Sequence, residues 1–203
     1  VIDRCTHLVD MHCGDGNEWL RPYTYWIVGG DPRVDAESRE LALAYGLDHV
    51  LVDRGRPRDP SASLFTANTA ITRGKPAITT ESGGLGQTDE PSVAAHEAGA
   101  RSILAHLGIL EGPSARVTHP VWIDRAEVLR SPVAGIWQPV VERMQSVATG
   151  RLLGRVTDPF GAVLHEARAP FAGEVVYVVA TPPVNAGEPL CEVGHLAETP
   201  GVA

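Results

Sequence analysis

The chain has 203 residues, 43% hydrophobic and 21% charged, the balance of an ordinary globular protein with room for one large or two small domains. Its net charge of −8 leaves no basic excess for a nucleic-acid face, and no apolar run approaches the roughly 20 residues that span a bilayer. Three cysteines, Cys5, Cys13 and Cys191, cannot all pair within one chain, which argues against a disulfide framework and suits a reducing, cytoplasmic setting. The chain opens on Val1 with no basic-then-apolar leader, so there is no signal peptide to read, and Val1 need not be where the gene begins.

Residues 6–13 (THLVDMHC) alternate in period two, with His7, Val9, Met11 and Cys13 on one face and Leu8, Asp10 and His12 on the other. Gly14-Asp15-Gly16-Asn17 ends this strand with turn chemistry. Residues 23–28 are aromatic and β-branched and stop at Gly29-Gly30-Asp31-Pro32. A helix is predicted over 35–46, acidic in its first turn and closed by Gly46, and a short buried strand over 48–53. Asp59-Pro60 supplies an N-cap and first helical residue for a second helix reaching Gly74. The strand 76–80 runs into Glu81-Ser82-Gly83-Gly84. The longest helical pattern, 91–110, carries Val93, Ala100, Ile103, Leu104 and Leu107 on one stripe. Strands alternating with helices imply a largely parallel sheet, whose ligands gather beyond the strands' carboxyl ends, where His12 and Glu81 sit.

Past Gly112-Pro113-Ser114 the pattern changes, which places a boundary between a first unit, 1–116, and a second, 117–203. No helix is predicted in the second. Instead residues 131–156 resemble residues 169–193: each copy has a small residue and Pro, Ala-Gly, an apolar strand, a Val-x-x-Gly turn and a closing strand. Two such units pack on one another as a small sandwich, in the shape of biotinyl and lipoyl carrier domains. The joining segment 157–168 has no lysine, and the chain's single lysine, Lys75, lies outside the repeat, which excludes a lysine-linked carrier and leaves a structural or gating role.

His12 reads two ways: a satisfied strand-end histidine, or a ligand whose ring Asp10, two residues before it on the same face, orients. Glu81 is either a solvated loop carboxylate or a partly buried general base, with Gly83, Gly84 and Gly86 allowing substrate or backbone to come close. The glycine spacing is not the dinucleotide fingerprint. Arg54, Arg56 and Arg58 crowd one loop, a solvated turn or a collector of an anionic substrate. Arg73 is a carboxylate clamp for the same strand-end pocket or a helix-terminal cation. His96 and His106 read as surface and packing residues, and Cys13 as a small buried thiol with no Cys-x-x-Cys to make it more. Trp19, Trp26, Tyr23 and Tyr25 read as core aromatics or pocket walls.

Taken in order, LVDMHCGDGNEWLRPY, PAITTESGGLG, a helix ending AHLGIL, SPVAGIWQPVV and APFAGEV resemble the succinylglutamate desuccinylase/aspartoacylase family along nearly the whole chain. The resemblance implies an α/β fold, a carboxypeptidase-like mixed sheet flanked by helices, followed by an all-β barrel-sandwich domain. It implies a zinc-dependent deacylase that cleaves the amide of an N-acyl amino acid or a related small amide, with Zn2+ as cofactor, His12 as third zinc ligand and Glu81 as the base acting on metal-activated water. The partner it implies is a small N-acylated amino acid; charge and hydropathy imply no nucleic acid and no membrane, and self-association into a homo-oligomer stays open. The family's other two ligands come from an upstream His-x-x-Glu, with a substrate-binding Asn-Arg between it and the third ligand, and this sequence has no His-x-x-Glu. That departure suits Val1 being internal to a longer protein, in which case the isolated chain exposes an apolar sheet edge and is poorly soluble or oligomeric. Two other readings stay open: a non-catalytic binding or structural module that kept the fold without the metal, and a metallocarboxypeptidase acting on peptides.

Overall fold

The computed structural model describes residues 1–200. Its first half runs β1 (Leu8–His12), β2 (Glu18–Leu20), β3 (Tyr23–Ile27), α1 (Pro32–Tyr45), β4 (His49–Asp53), α2 (Thr66–Ile71), β5 (Ala77–Glu81) and α3 (Glu90–His106). The second half is β6 (Val121–Arg130), β7 (Gly135–Pro139), β8 (Ser146–Val147), β9 (Leu152–Thr157), β10 (Val163–Arg168), β11 (Gly173–Val179), β12 (Pro183–Val184) and β13 (Pro189–Ala197). Among the described residues no helix follows α3.

Helix boundaries follow their caps. Helix α1 starts three residues before the expected Asp35, because Asp31 takes the N-cap and accepts from the Arg33 and Val34 amides, with Pro32 in the first turn. Gly46 closes it at φ +97°. The single helix expected from Asp59 to Gly74 is two pieces. Asp59 caps a 3-10 turn, Pro60–Ala62, and α2 begins only at Thr66 after Ser63-Leu64-Phe65 cross in extended form. Helix α3 stops at His106, four residues early, and its buried line is Gly99, Ser102 and Ile103, whereas Val93 is exposed. Gly99 matters here: a Cβ would lie 2.4 Å from the Tyr45 ring, so the missing side chain lets α1 and α3 close on each other.

The large sheet runs β1-β5-β3-β4-β6-β13-β11-β2, with β8 also on β11. It is mixed rather than largely parallel. The pairs β1/β5, β3/β4 and β4/β6 are parallel, but β3 runs against β5, and β6, β13, β11 and β2 are antiparallel to one another. The sheet therefore continues across residue 116 through the β4/β6 pairing. Only Arg21 and Pro22 separate β2 from β3, yet four strands lie between them in the sheet; the strands curl until the Arg21 amide bonds Val176 O on β11 at 3.0 Å. Tyr23, Leu51, Ile123 and Val176 fill the inside of this curl.

The sequence repeat is a structural repeat with exchanged strands. Copy one is β7, β8 and β9; copy two is β11, β12 and β13. The short middle strand of each pairs with the first strand of the other: β8 with β11, and β12 with β7. A second, four-stranded sheet, β10-β9-β7-β12, faces the large one over a shared core around Trp137, whose indole N–H bonds Val179 O at 3.1 Å. Gly135 and Gly173 hold equivalent places in the copies. A Cβ would meet Thr157 O at 2.6 Å in one and Gly194 O at 2.0 Å in the other.

Candidate functional site

His12 is the last residue of β1, Glu81 the last of β5, and the parallel register sets them side by side. On Glu81's other flank the antiparallel register places Tyr23. The Asp10 carboxylate lies 3.2 Å from His12 Nε2, as the shared strand face requires. The backbone below is pinned. Ser82 N–H donates to His12 O, Gly14 N–H donates to Gly83 O, and His96 spans from Tyr45 Oη (2.8 Å) to His12 O (3.0 Å). His96 was expected at the surface in a packing role; it instead ties α1, α3 and the end of β1 together.

The glycine turn serves backbone approach. Leu85 N–H bonds Glu18 O, and a Cβ on Gly84 would come within 2.2 Å of that oxygen. The turn thus carries β2 against the end of β5. On its α3 side is a cavity of about 320 Å³ with Trp19, Ser82, Gly83 and Arg143 in its wall, which includes neither His12 nor Glu81.

Glu81 Oε2 is buried and has no hydrogen-bond partner. Burial pushes the carboxyl up to about 7; His12 pulls it down, and Glu18, Asp10 and Asp15 push it further up. A second carboxyl, Glu192 on β13, is 7% exposed and is likewise pushed up to about 7 by burial, then by Glu18 and Glu81. Around them stand Tyr23 and Tyr25, their hydroxyls 3.0 Å apart, both held above their ordinary range by burial. Such a place keeps a carboxyl poised between protonation states near neutrality, which is what proton transfer to and from water requires.

Sequence reasoning missed Glu192, because PLCEV reads as an ordinary buried strand; the one available signal is a lone carboxylate in an apolar run. It also missed Arg21, 4% exposed, which binds the Glu174 carboxylate, His49 Nε2 (2.6 Å) and Asp48 (3.2 Å) just before β3. Other expected residues lie elsewhere. Arg73 donates to Thr69 O at the C-terminal end of α2, beside the start of β5, and so is a helix-terminal cation rather than a clamp. Arg56 pairs with Asp53 and stacks on Phe65. Cys13 is exposed rather than buried; all three cysteines are free, and burial of Cys191 pushes its thiol up to about 12.

Among the described residues, no three His, Cys, Asp or Glu side chains converge where a metal ion could be held. His12 with Asp10 is an incomplete set for catalytic zinc, which keeps three protein ligands and an open position. The residues present do not fit a whole zinc site.

No family model matches the chain. A curated relative, the N-alpha-acetyl-L-2,4-diaminobutyric acid deacetylase of Halomonas elongata, is 25% identical over 201 residues, 96% of this chain and 57% of that protein. Among solved structures, a succinylglutamate desuccinylase from Silicibacter sp. TM1040 superposes with TM-score 0.84 at 20% identity, over 97% of this chain and 60% of that one, a likeness of fold. The product-bound ectoine utilization protein EutE (DoeB) of Ruegeria pomeroyi gives 0.80 at 26% identity, over 92% of this chain and 57% of that one. The chain therefore spans somewhat over half the length of the proteins it matches. In fold, the chain is similar to a succinylglutamate desuccinylase and to an ectoine utilization protein, and in sequence to an N-acetyldiaminobutyrate deacetylase.

Proposed function

We propose that this chain carries the general-base half of a deacylase site that hydrolyses the amide of an N-acyl amino acid. The observation that carries the reading is the strand-end pair: Glu81, half-buried with one buried, unpartnered oxygen and poised near neutrality, in register with His12. Glu81 takes a proton from water as the hydroxide adds to the amide carbonyl carbon. It returns that proton to the nitrogen as the C–N bond breaks, releasing acid and amine. His12, oriented by Asp10, is this chain's contribution to the zinc that the family resemblance implies, one ligand of a set these residues do not complete. The chemistry such a zinc would supply is polarisation of the amide carbonyl and acidification of the water.

The incomplete metal set favours one other reading, a module that binds its ligand without turning it over. Glu81→Gln in the full chain separates the two, assayed on N-acyl amino acids and on C-terminal peptide substrates. A deacylase loses at least about 100-fold in kcat with the amino acid derivatives. Unchanged turnover refutes the role of Glu81; preference for the peptides points to a carboxypeptidase; ligand binding with no turnover in the parent protein leaves the module.

A further inference from the structure

Strand β1 lies at the edge of the large sheet, with β5 on one side and no neighbour on the other among the described residues. Its ladder ends at His12, half of whose side chain is exposed, and the chain leaves through Cys13, also exposed. Such an end is where backbone bonds open most readily, because one ladder holds it and water reaches its outer side. Yet this is the end that must keep His12 beside Glu81. Two donors converge on the His12 carbonyl oxygen. One is the Ser82 amide at 3.1 Å, across the β1/β5 pair; the other is His96 Nε2 at 3.0 Å, which comes from α3, outside the sheet.

The His96 ring is itself fixed for this bond. A carbonyl oxygen only accepts, so Nε2 carries a proton, and in the neutral ring Nδ1 is left to accept from the Tyr45 hydroxyl at 2.8 Å. The two rings meet edge-on, their centroids 6.4 Å apart. Tyr45, the last residue of α1, is 3% exposed and comes this close to α3 because Gly99, one turn after His96, presents no Cβ to its ring. The line Tyr45–His96–His12 thus fastens a fraying strand end to two packed helices. We propose, on the deacylase reading of the strand-end pair, that His96 is a positioning residue: it holds the end of β1 so that His12 stays against Glu81, and acts through the His12 carbonyl rather than the His12 ring. Hydrolytic geometry is sensitive to such a hold, since a misplacement of about 1 Å costs about 100-fold in rate.

Three substitutions in the full chain take the line apart. His96→Gln puts an amide nitrogen near the place of Nε2 and keeps a donor for His12 O. His96→Asn reaches only the place of Nδ1 and keeps a partner for Tyr45 alone, and His96→Leu keeps neither. On N-acetyl amino acids, kcat is expected to fall at least about tenfold in His96→Leu and His96→Asn with KM within about twofold, and to recover in His96→Gln to within about threefold of the parent. Without substrate, hydrogen exchange of the Ser82 amide, which shares the same oxygen, is expected to speed up about tenfold in His96→Leu and His96→Asn but not in His96→Gln. The Val28 amide, bonded to Asp53 O just past the far end of β3, exchanges at the parent rate in all three and shows that the fold is kept. Parent-like Ser82 exchange or parent-like kcat in His96→Leu, a change in KM alone, or a loss in His96→Gln equal to that in His96→Asn overturns the proposal. A parent protein without turnover removes the deacylase reading, and the exchange rates still decide whether His96 holds the strand end.

Discussion

The buried Arg21 cluster gives a stability prediction with a worked size. Arg21 is 4% exposed and Glu174 has 13% of its side chain exposed; removing the guanidinium strands Glu174 in the curl of the sheet with His49, at 3.5 Å, its one remaining ion partner among the described residues. Breaking a buried pair from one side costs about 3–5 kcal/mol, most of it the desolvation of the abandoned partner. Glu174 is partly wet and Asp48 is 64% exposed, so Arg21→Met belongs at the lower end, about 3 kcal/mol, or about 10 °C in Tm for a chain of this length. The same logic makes the double variant Arg21→Met with Glu174→Leu more stable than the single one, since no charge is left buried. Urea unfolding at pH 7 measures both. Burial alone would raise the Glu174 and Asp48 carboxyls, but His49 and Arg21 outweigh it and hold both below their ordinary 4.5 and 3.8. Groups depressed in the fold contribute stability above their unfolded values and lose it as pH falls through the folded ones. The gap between wild type and Arg21→Met is therefore full at pH 6 and narrows below about pH 4. A single-variant loss under about 1 kcal/mol, or a double variant no better than the single, refutes the reasoning.

Glu192 carries the opposite sign. Its carboxyl is raised to about 7, so the fold favours its protonated form, and its contribution, present at acid pH, is lost as pH rises through 7. Glu192→Gln should stabilise the protein by about 1–3 kcal/mol at pH 8 and by little at pH 5, read from urea midpoints at the two pH values. In the repeat, Gly135→Ala and Gly173→Ala press a Cβ into backbone carbonyls and should each cost about 2 kcal/mol or more by thermal unfolding. Gly150→Ala and Gly187→Ala face open space at φ +78° and +88° and should cost only about 1 kcal/mol each. If general-base catalysis by Glu81 holds, log kcat of the full chain should fall on the acid side with a limb near pH 7, and a profile flat to pH 5 would count against it.

What the sequence shows of this molecule follows the range of each physical signal. Strand alternation and the turn after it located β1 and β5, and with them His12 and Glu81, because both rest on neighbouring residues. The paired repeats were legible for the same reason: Ala-Gly and Val-x-x-Gly recur where the backbone has no room for a Cβ or must take positive φ. Helix starts slipped where an earlier cap was available, as at Asp31. The helix from Asp59 breaks at Ser63-Leu64-Phe65, and α2 starts after Phe65 without a side-chain cap, so no local signal marked the break. The sheet's curl, and the burial of Arg21 and Glu192 that goes with it, depend on pairings between residues more than a hundred apart, for which no local pattern exists. That β1 and β5 are neighbours with His12 opposite Glu81 is likewise a matter of register, visible only in the folded chain.

The continuity of the large sheet has a mechanical consequence. Strand β6 is hydrogen-bonded to β4 along one edge and to β13 along the other, so the repeat is joined to the first half as one plank is to the next, across a row of backbone bonds. There is no hinge line between them, and a rigid swing of the β-rich half would have to tear a strand from the sheet. Any opening or closing over His12 and Glu81 from that side must come instead from bending of short segments, such as the β7–β8 connection, where Arg143 reaches Leu20 O at 3.0 Å. Heating should accordingly melt both halves in one calorimetric transition, as a single beam fails, rather than as two bodies parting.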